Sequence, residues 1–155
     1  MLALPGSLYL RQGDEIALSD ADKPTAPLEL ADMVAEHARG QSSQFGSPAA
    51  TVRHAAHVRN EYNLACAPLA FVTGLEWCPP AALAFLVRGV LVVVNTSDAP
   101  IILPPEAKVL LSSQTLRQDE SRLLIPPTTT TWLEATTGLL GVFRTLLVCV
   151  SGCLR

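Results

Sequence analysis

Residues 81–103, AALAFLVRGVLVVVNTSDAPIIL, decide how this chain folds. Short runs rich in Val, Leu and Phe alternate with turn residues, which is the pattern of strands. Arg88-Gly89 sits between two apolar runs and predicts a tight hairpin turn, a weaker signal than Asn-Gly in the same place. Asn95 to Pro100 (NTSDAP) predicts a second turn. The same pattern continues on both sides. LAFVTGLEW (69–77) precedes it, and KVLLSSQ (108–114) and RLLIPPTTTTWLEA (122–135) follow. Thr128 to Trp132 is a β-branched and aromatic run with its prolines at the entrance, where a strand tolerates them. The prediction is five to seven antiparallel strands from near Leu69 to Ala135.

Upstream the periodicity changes. SPAATVRHAAHVRNEYN (47–63) predicts a helix with Ser47 as N-cap and Pro48 at the first helical position, where its missing N–H costs nothing. Thr51, Ala55, Val58 and Tyr62 form one stripe, and Arg53, Arg59 and Asn60 lie away from it. Residues 18–46 are broken by Pro24, Pro27, Gly40 and Gly46, and they leave room for a short helix from Leu28 to Ala38. At the start, Leu2–Leu4 and Leu8–Leu10 flank Pro5-Gly6, and Asp14 and Glu15 follow Gly13. That reads as the end of a buried parallel strand running into an acid-bearing loop, and such a strand needs neighbours on both sides.

Composition bounds the classes of function. Apolar residues make up 49% of the 155-residue chain and charged residues 16%, so a core is available and global disorder is excluded. A net charge of −3 without a basic cluster argues against nucleic acid. No secretion signal is recognisable, because no Lys or Arg precedes the first apolar residues. The run Leu139–Val150 is too short to span a bilayer and carries Arg144, so no membrane span is expected. Cys66, Cys78, Cys149 and Cys153 fit no matched zinc spacing and read as reduced thiols of a cytoplasmic protein.

LALPGSLYLRQGDEI (2–16) resembles the segment around the eighth barrel strand of glycoside hydrolase family 13, the α-amylase superfamily, above all its bacterial α-glucosidase and oligo-1,6-glucosidase branch. Pro5, Gly6, Tyr9, Gln12, Gly13, Glu15 and Ile16 match in place, whereas Arg11 replaces a tyrosine and Ala17 a glycine. SPAATVRHAAHVRNEYNL (47–64) resembles the last barrel helix of that family. ALAFLVRGVLVVVNTSDAPIILPPEAKVLLSSQ (82–114) and LIPPTTTTWLEA (124–135) are similar to its C-terminal β-domain.

The resemblance implies an α+β chain. Residues 1–67 would be the remnant of the end of a (β/α)8 barrel, one strand with one or two helices, without barrel closure. Residues 68–135 would be a small antiparallel all-β C-terminal domain, and 136–155 an apolar tail of unknown role. Alternation and resemblance together mark Val92, Val94, Leu110, Leu124 and Trp132 as core. The family's catalytic carboxylates lie on segments before the matched ones. The implied function is that of a truncated C-terminal part of an α-glucosidase, whose intact parent hydrolyses α-glucoside oligosaccharides. The alternatives are a non-catalytic accessory β-domain for carbohydrate or protein interaction, and a damaged reading frame. No cofactor is expected.

Weighed as chemistry, the residues agree. Retaining glycosidases need two carboxyl groups about 5 Å apart across the scissile bond. Asp14 and Glu15 are adjacent, and neighbours in extended chain point to opposite sides, so no catalytic pair is expected there. His54, His57 and Glu61 share a helix face at metal-ligand spacing but read as a solvated flank. Trp77 and Trp132 could form a sugar-stacking pair and read instead as packing residues. Cys66 reads as a small core residue. The sequence therefore assigns no catalytic, cofactor-binding or metal residues.

Overall fold

The computed structural model describes residues 2–11, 13–19, 25–44, 46–119, 121–141 and 144–146. Helices α1 (Pro27–Gln41) and α2 (Pro48–Glu61) come first. Eight strands follow: β1 (Leu69–Thr73), β2 (Leu83–Val87), β3 (Val90–Asn95), β4 (Ile101–Ile102), β5 (Val109–Ser112), β6 (Arg117–Asp119), β7 (Arg122–Ile125) and β8 (Thr129–Glu134). The single turn of helix α3 (Thr137–Leu140) and the edge strand β9 (Arg144–Leu146) complete the described chain. The fold class is α+β, with antiparallel sheets and no closed barrel among the described residues.

The expected hairpin forms with a two-residue turn. Val87 pairs with Val90, and Arg88 between them adopts φ 55°. The larger sheet runs β5-β8-β3-β2-β1-β9 and the smaller one β4-β7-β6, every pair antiparallel. Eight strands between Leu69 and Glu134 exceed the predicted five to seven. The excess is β4 and β6, which have two and three residues and exist only as partners of β7. No apolar run announces β6, whose residues are all exposed. Of the predicted tail, Thr137–Leu140 forms a helical turn and Arg144–Leu146 a strand on β1. Residues 147–155, with Cys149 and Cys153, lie outside the described residues.

β3 is buried on both faces. Val90 and Val92 join Phe85, Val87, Leu69 and Trp132 against Ala55, Val58 and Leu64 of the helical layer. Leu91 and Val93 join Leu133, Ala84 and Val72 against Ile101, Leu103 and Ile125 of the small sheet. Val92 and Trp132 are buried as predicted, while Val94, Leu110 and Leu124 are only half-buried. Leu91 and Val93 were not singled out, and they are fully buried. An alternation argument assumes one wet face, whereas this strand has none. In β7 the alternation holds but in the other phase, because Ile125 and Leu123 face the large sheet.

Residues 2–11 depart most from expectation. Residues 2–6 are turns and bends, and 7–11 have no regular structure, so the predicted parallel strand does not form. Pro5 has no N–H to give a ladder, and Gly6 turns the chain at φ 91°. The carbonyls are used elsewhere. Arg59 of α2 donates to the Leu2 oxygen at 2.8 Å and to the oxygens of Leu4 and Gly6, while the Gly6 N–H donates to Ala65 O at 2.8 Å.

The helices start and stop for local reasons. Pro27 is not a break but the first residue of α1, which runs through Gly40, longer than the predicted Leu28–Ala38. Ser47 caps α2 as predicted, accepting from Ala50 N–H at 3.2 Å and donating to Gln41 O at 2.9 Å. The Gln41 amide, at the end of α1, ties the start of α2 to Ile16. Its oxygen accepts from Ala49 N–H at 3.1 Å, and its nitrogen donates to Ile16 O at 3.2 Å.

Asn95 ends β3 fully buried, and it ties the two sheets. Its side-chain amide faces the carbonyls of Ala99 (2.9 Å), Ile125 (3.1 Å) and Pro126 (3.0 Å). Its oxygen accepts from Ser97 N–H at 3.1 Å and from Ser97 Oγ at 2.7 Å. Asn95→Asp puts a carboxylate against three carbonyls in a dry site. It is expected to cost about 3 kcal/mol at neutral pH. The buried carboxyl holds its proton better than in the unfolded chain, so the variant's stability falls as pH rises above the ordinary carboxylate range. Urea unfolding at pH 4 and pH 7 checks this, the loss being larger at pH 7.

Candidate functional site

β1 and β3 both run antiparallel to β2, so the loops leaving their C-terminal ends lie at the same end of the large sheet. With the β4–β5 connection, the start of β7 and α3 they line an open groove of about 810 Å³. Its floor is apolar: Ile101, Ile102, Leu103 and the prolines at 79, 100, 104 and 105. Its polar groups are Glu76, Ser97, Glu106 and Arg122. Trp77 stands in the wall, half-buried, with its indole N–H donating to Leu139 O at 3.0 Å. Glu106 lies along Gly138: a Cβ at that glycine would sit 3.5 Å from both Glu106 Cγ and Oε1.

A second cavity, of about 400 Å³, lies between residues 2–4, α2 and the large sheet. Thr51, Val52, Ala55, Phe85, Val92 and Trp132 line it, and among the described residues no ionisable side chain does. Trp132 thus faces the helical layer, while Trp77 belongs to the cluster on the opposite face of the sheet. The two tryptophans form no pair.

Asp14 and Glu15 sit in a 3-10 turn (Asp14–Ile16), not in extended chain. Each carboxylate is held by its own loop. Asp14 Oδ2 accepts from Arg11 N–H at 3.0 Å, and Glu15 Oε2 from Gly13 N–H at 2.9 Å. Three residues per turn project neighbours about 120° apart, so the two groups still diverge. On α2, His57 Nε2 and Glu61 Oε2 are 3.8 Å apart on an exposed face, while His54 borders a separate groove beside β5. Among the described residues, no three His, Cys, Asp or Glu side chains come together as a metal site.

Cys66, read from the sequence as core, is exposed. It follows Leu64 in a 3-10 turn (Leu64–Cys66) that buries Leu64 completely, and that spacing carries Cys66 outward. Cys78 is half-buried, and burial pushes its thiol above the ordinary value. Sequence reasoning also missed Arg59, Asn95 and Glu106. Arg59 lies off the apolar stripe and looks like a solvated charge, and Asn95 looks like an ordinary turn former. Among the described residues no helix is long and apolar enough to cross a membrane.

No protein-family profile and no curated protein sequence matches the chain. The structure is similar to the solved α-amylase from H. orenii, with a TM-score of 0.56 and 20% identity. The likeness covers 87% of this chain and 33% of that one, so the chain spans about a third of the α-amylase's length. At this identity the likeness is one of fold.

Cysteine labelling tests the placement of the two thiols. With iodoacetamide at neutral pH, Cys66 is expected to react faster than Cys78 in the native protein, because the thiolate is the nucleophile. The gap should narrow as pH rises and vanish in urea, as read by peptide mass spectrometry.

Proposed function

We propose that the chain is the C-terminal part of an α-glucosidase of glycoside hydrolase family 13, whose parent hydrolyses α-glucosidic bonds of oligosaccharides with retention. The observation that carries the reading is the α-amylase likeness extending over 87% of the chain. The order of the motifs at 2–16, 47–64, 82–114 and 124–135 supports it. In this reading residues 1–67 belong to the end of the catalytic barrel, 68–135 form the C-terminal β-domain, and 136–155 extend beyond it. The free thiols of Cys66 and Cys78 fit a reducing compartment, and the reading places the parent in the cytoplasm.

The chemistry belongs to other segments of the parent. A retaining displacement needs a nucleophilic carboxylate and an acid/base carboxyl facing each other across a sugar. Asp14 and Glu15 diverge and spend their oxygens on loop amides. What this chain supplies is a scaffold. α2 lays its Ala55–Val58 stripe on the large sheet, and its Arg59 fixes the segment that precedes it.

The test has two arms. The purified chain is expected to release no nitrophenol from p-nitrophenyl α-glucoside. Turnover that the Asp14→Asn/Glu15→Gln double variant loses would overturn the assignment of the chemistry elsewhere. Second, residues 68–135 fused to an oligo-1,6-glucosidase that lacks its own C-terminal domain should restore soluble, active enzyme. A fusion as insoluble and inactive as the truncated enzyme sinks the parent reading.

A further inference from the structure

We propose that the groove beside Trp77 is a sugar-holding site, separate from any catalytic centre, that takes a short neutral α-linked gluco-oligosaccharide. The linkage class rests on the α-glucosidase reading, whereas the sugar chemistry rests on the groove. Glu76, Glu106 and Arg122 come to it from three separate segments. Among the described residues none of the three has a hydrogen-bond or ion-pair partner. Three ionic side chains around an apolar floor, unpaired among the described residues, disfavour a hydrocarbon guest, which would strip water from them without replacing its hydrogen bonds. Two carboxylates against one guanidinium also disfavour an anion.

A pyranose answers both halves of the surface. One face of the ring is a patch of C–H bonds that packs on an indole, and its rim is hydroxyls that both donate and accept. The carboxylates of Glu76 and Glu106 accept from such hydroxyls, and Arg122 donates to them. The Trp77 N–H is already bound to Leu139 O, which fixes the indole edge and makes the ring a rigid wall. The volume, about 810 Å³, lies in the range of small-molecule sites. Gly138 leaves open the space beside Glu106, and its backbone is not in the left-handed region, so a larger residue fits the helical turn but fills the groove.

The experiment is a titration of the full chain with maltotriose, isomaltotriose and β-linked cellotriose, followed by the two indole N–H resonances in NMR. Trp132 lies on the opposite face of the sheet and serves as internal control. Maltotriose or isomaltotriose is expected to shift the Trp77 signal saturably and leave that of Trp132 in place. Gly138→Leu and Arg122→Ala, whose sites are exposed, should keep the native spectrum and weaken binding by at least about tenfold. No saturable shift, a shift that neither variant weakens, or equal affinity for cellotriose overturns the proposal. Sugar binding without rescue of the truncated enzyme sinks the parent reading alone, and rescue without sugar binding sinks the groove alone.

Discussion

Neither side of strand Val90–Asn95 faces water, and the rest of the chain is arranged around that constraint. A run of five apolar residues in extended chain has side chains on both faces, and each fully buried Val or Leu contributes about 1.5–3 kcal/mol. To collect that from both faces the strand needs two covers. The hairpin with β2 and the long-range pairing with β8 provide hydrogen bonds along its edges but no cover at all. One face is closed by α2 and the turn that follows it, through Ala55, Val58 and Leu64. The other is closed by the small sheet, through Ile101, Leu103 and Ile125. A helix on one side and a sheet on the other is therefore a consequence of one strand's composition.

Closing both faces creates polar problems, and two side chains solve them. Where β3 leaves the sheet, the chain must cross to the small sheet, and the carbonyls of Ala99, Ile125 and Pro126 converge. One amide, Asn95, serves them all and has its own oxygen satisfied by Ser97. No buried side-chain nitrogen or oxygen among the described residues lacks a partner. On the helical side, residues 2–6 have no ladder to join, and Arg59 gathers their carbonyls instead. A guanidinium presents five donors in a fixed fork, which suits a turn whose alternate carbonyls point one way.

These two residues also mark what a sequence reader can and cannot see. The hairpin at Arg88-Gly89, the Ser47-Pro48 helix start and the α+β order are legible because each depends on neighbours in the chain. The phase of β7 is not legible, because it depends on which face meets the other sheet. Leu91 and Val93 escape an alternation argument because alternation presumes one wet face. Leu2–Leu10 looks like a strand by composition, but a strand is defined by its partners, and a side chain 55 residues away took the carbonyls. In the candidate site, Trp77 reads from the sequence as a packing residue, and it does pack against the core while also standing in the groove wall. Glu106 and Arg122 are not legible, because nothing local brings three segments to one groove.

Apolar exposure is distributed unevenly. Tyr9 is 87% exposed and Leu28 81%, and Leu4 and Leu10 are exposed as well. The core beneath α1 is small, made of Ile16, Val34 and Ala49. The strand region packs into two clusters, one of them closed by α2 and the turn after it, and its exposed large apolar residues are Leu83 and Ile102. Local stability follows buried apolar contact. The two sheets and α2 together therefore hold most of the described buried apolar contact, and the segment before α2 joins them through Ala3 in the helical-side core, the hydrogen bonds of Arg59 and of Gly6 with Ala65, and the Gln41 amide.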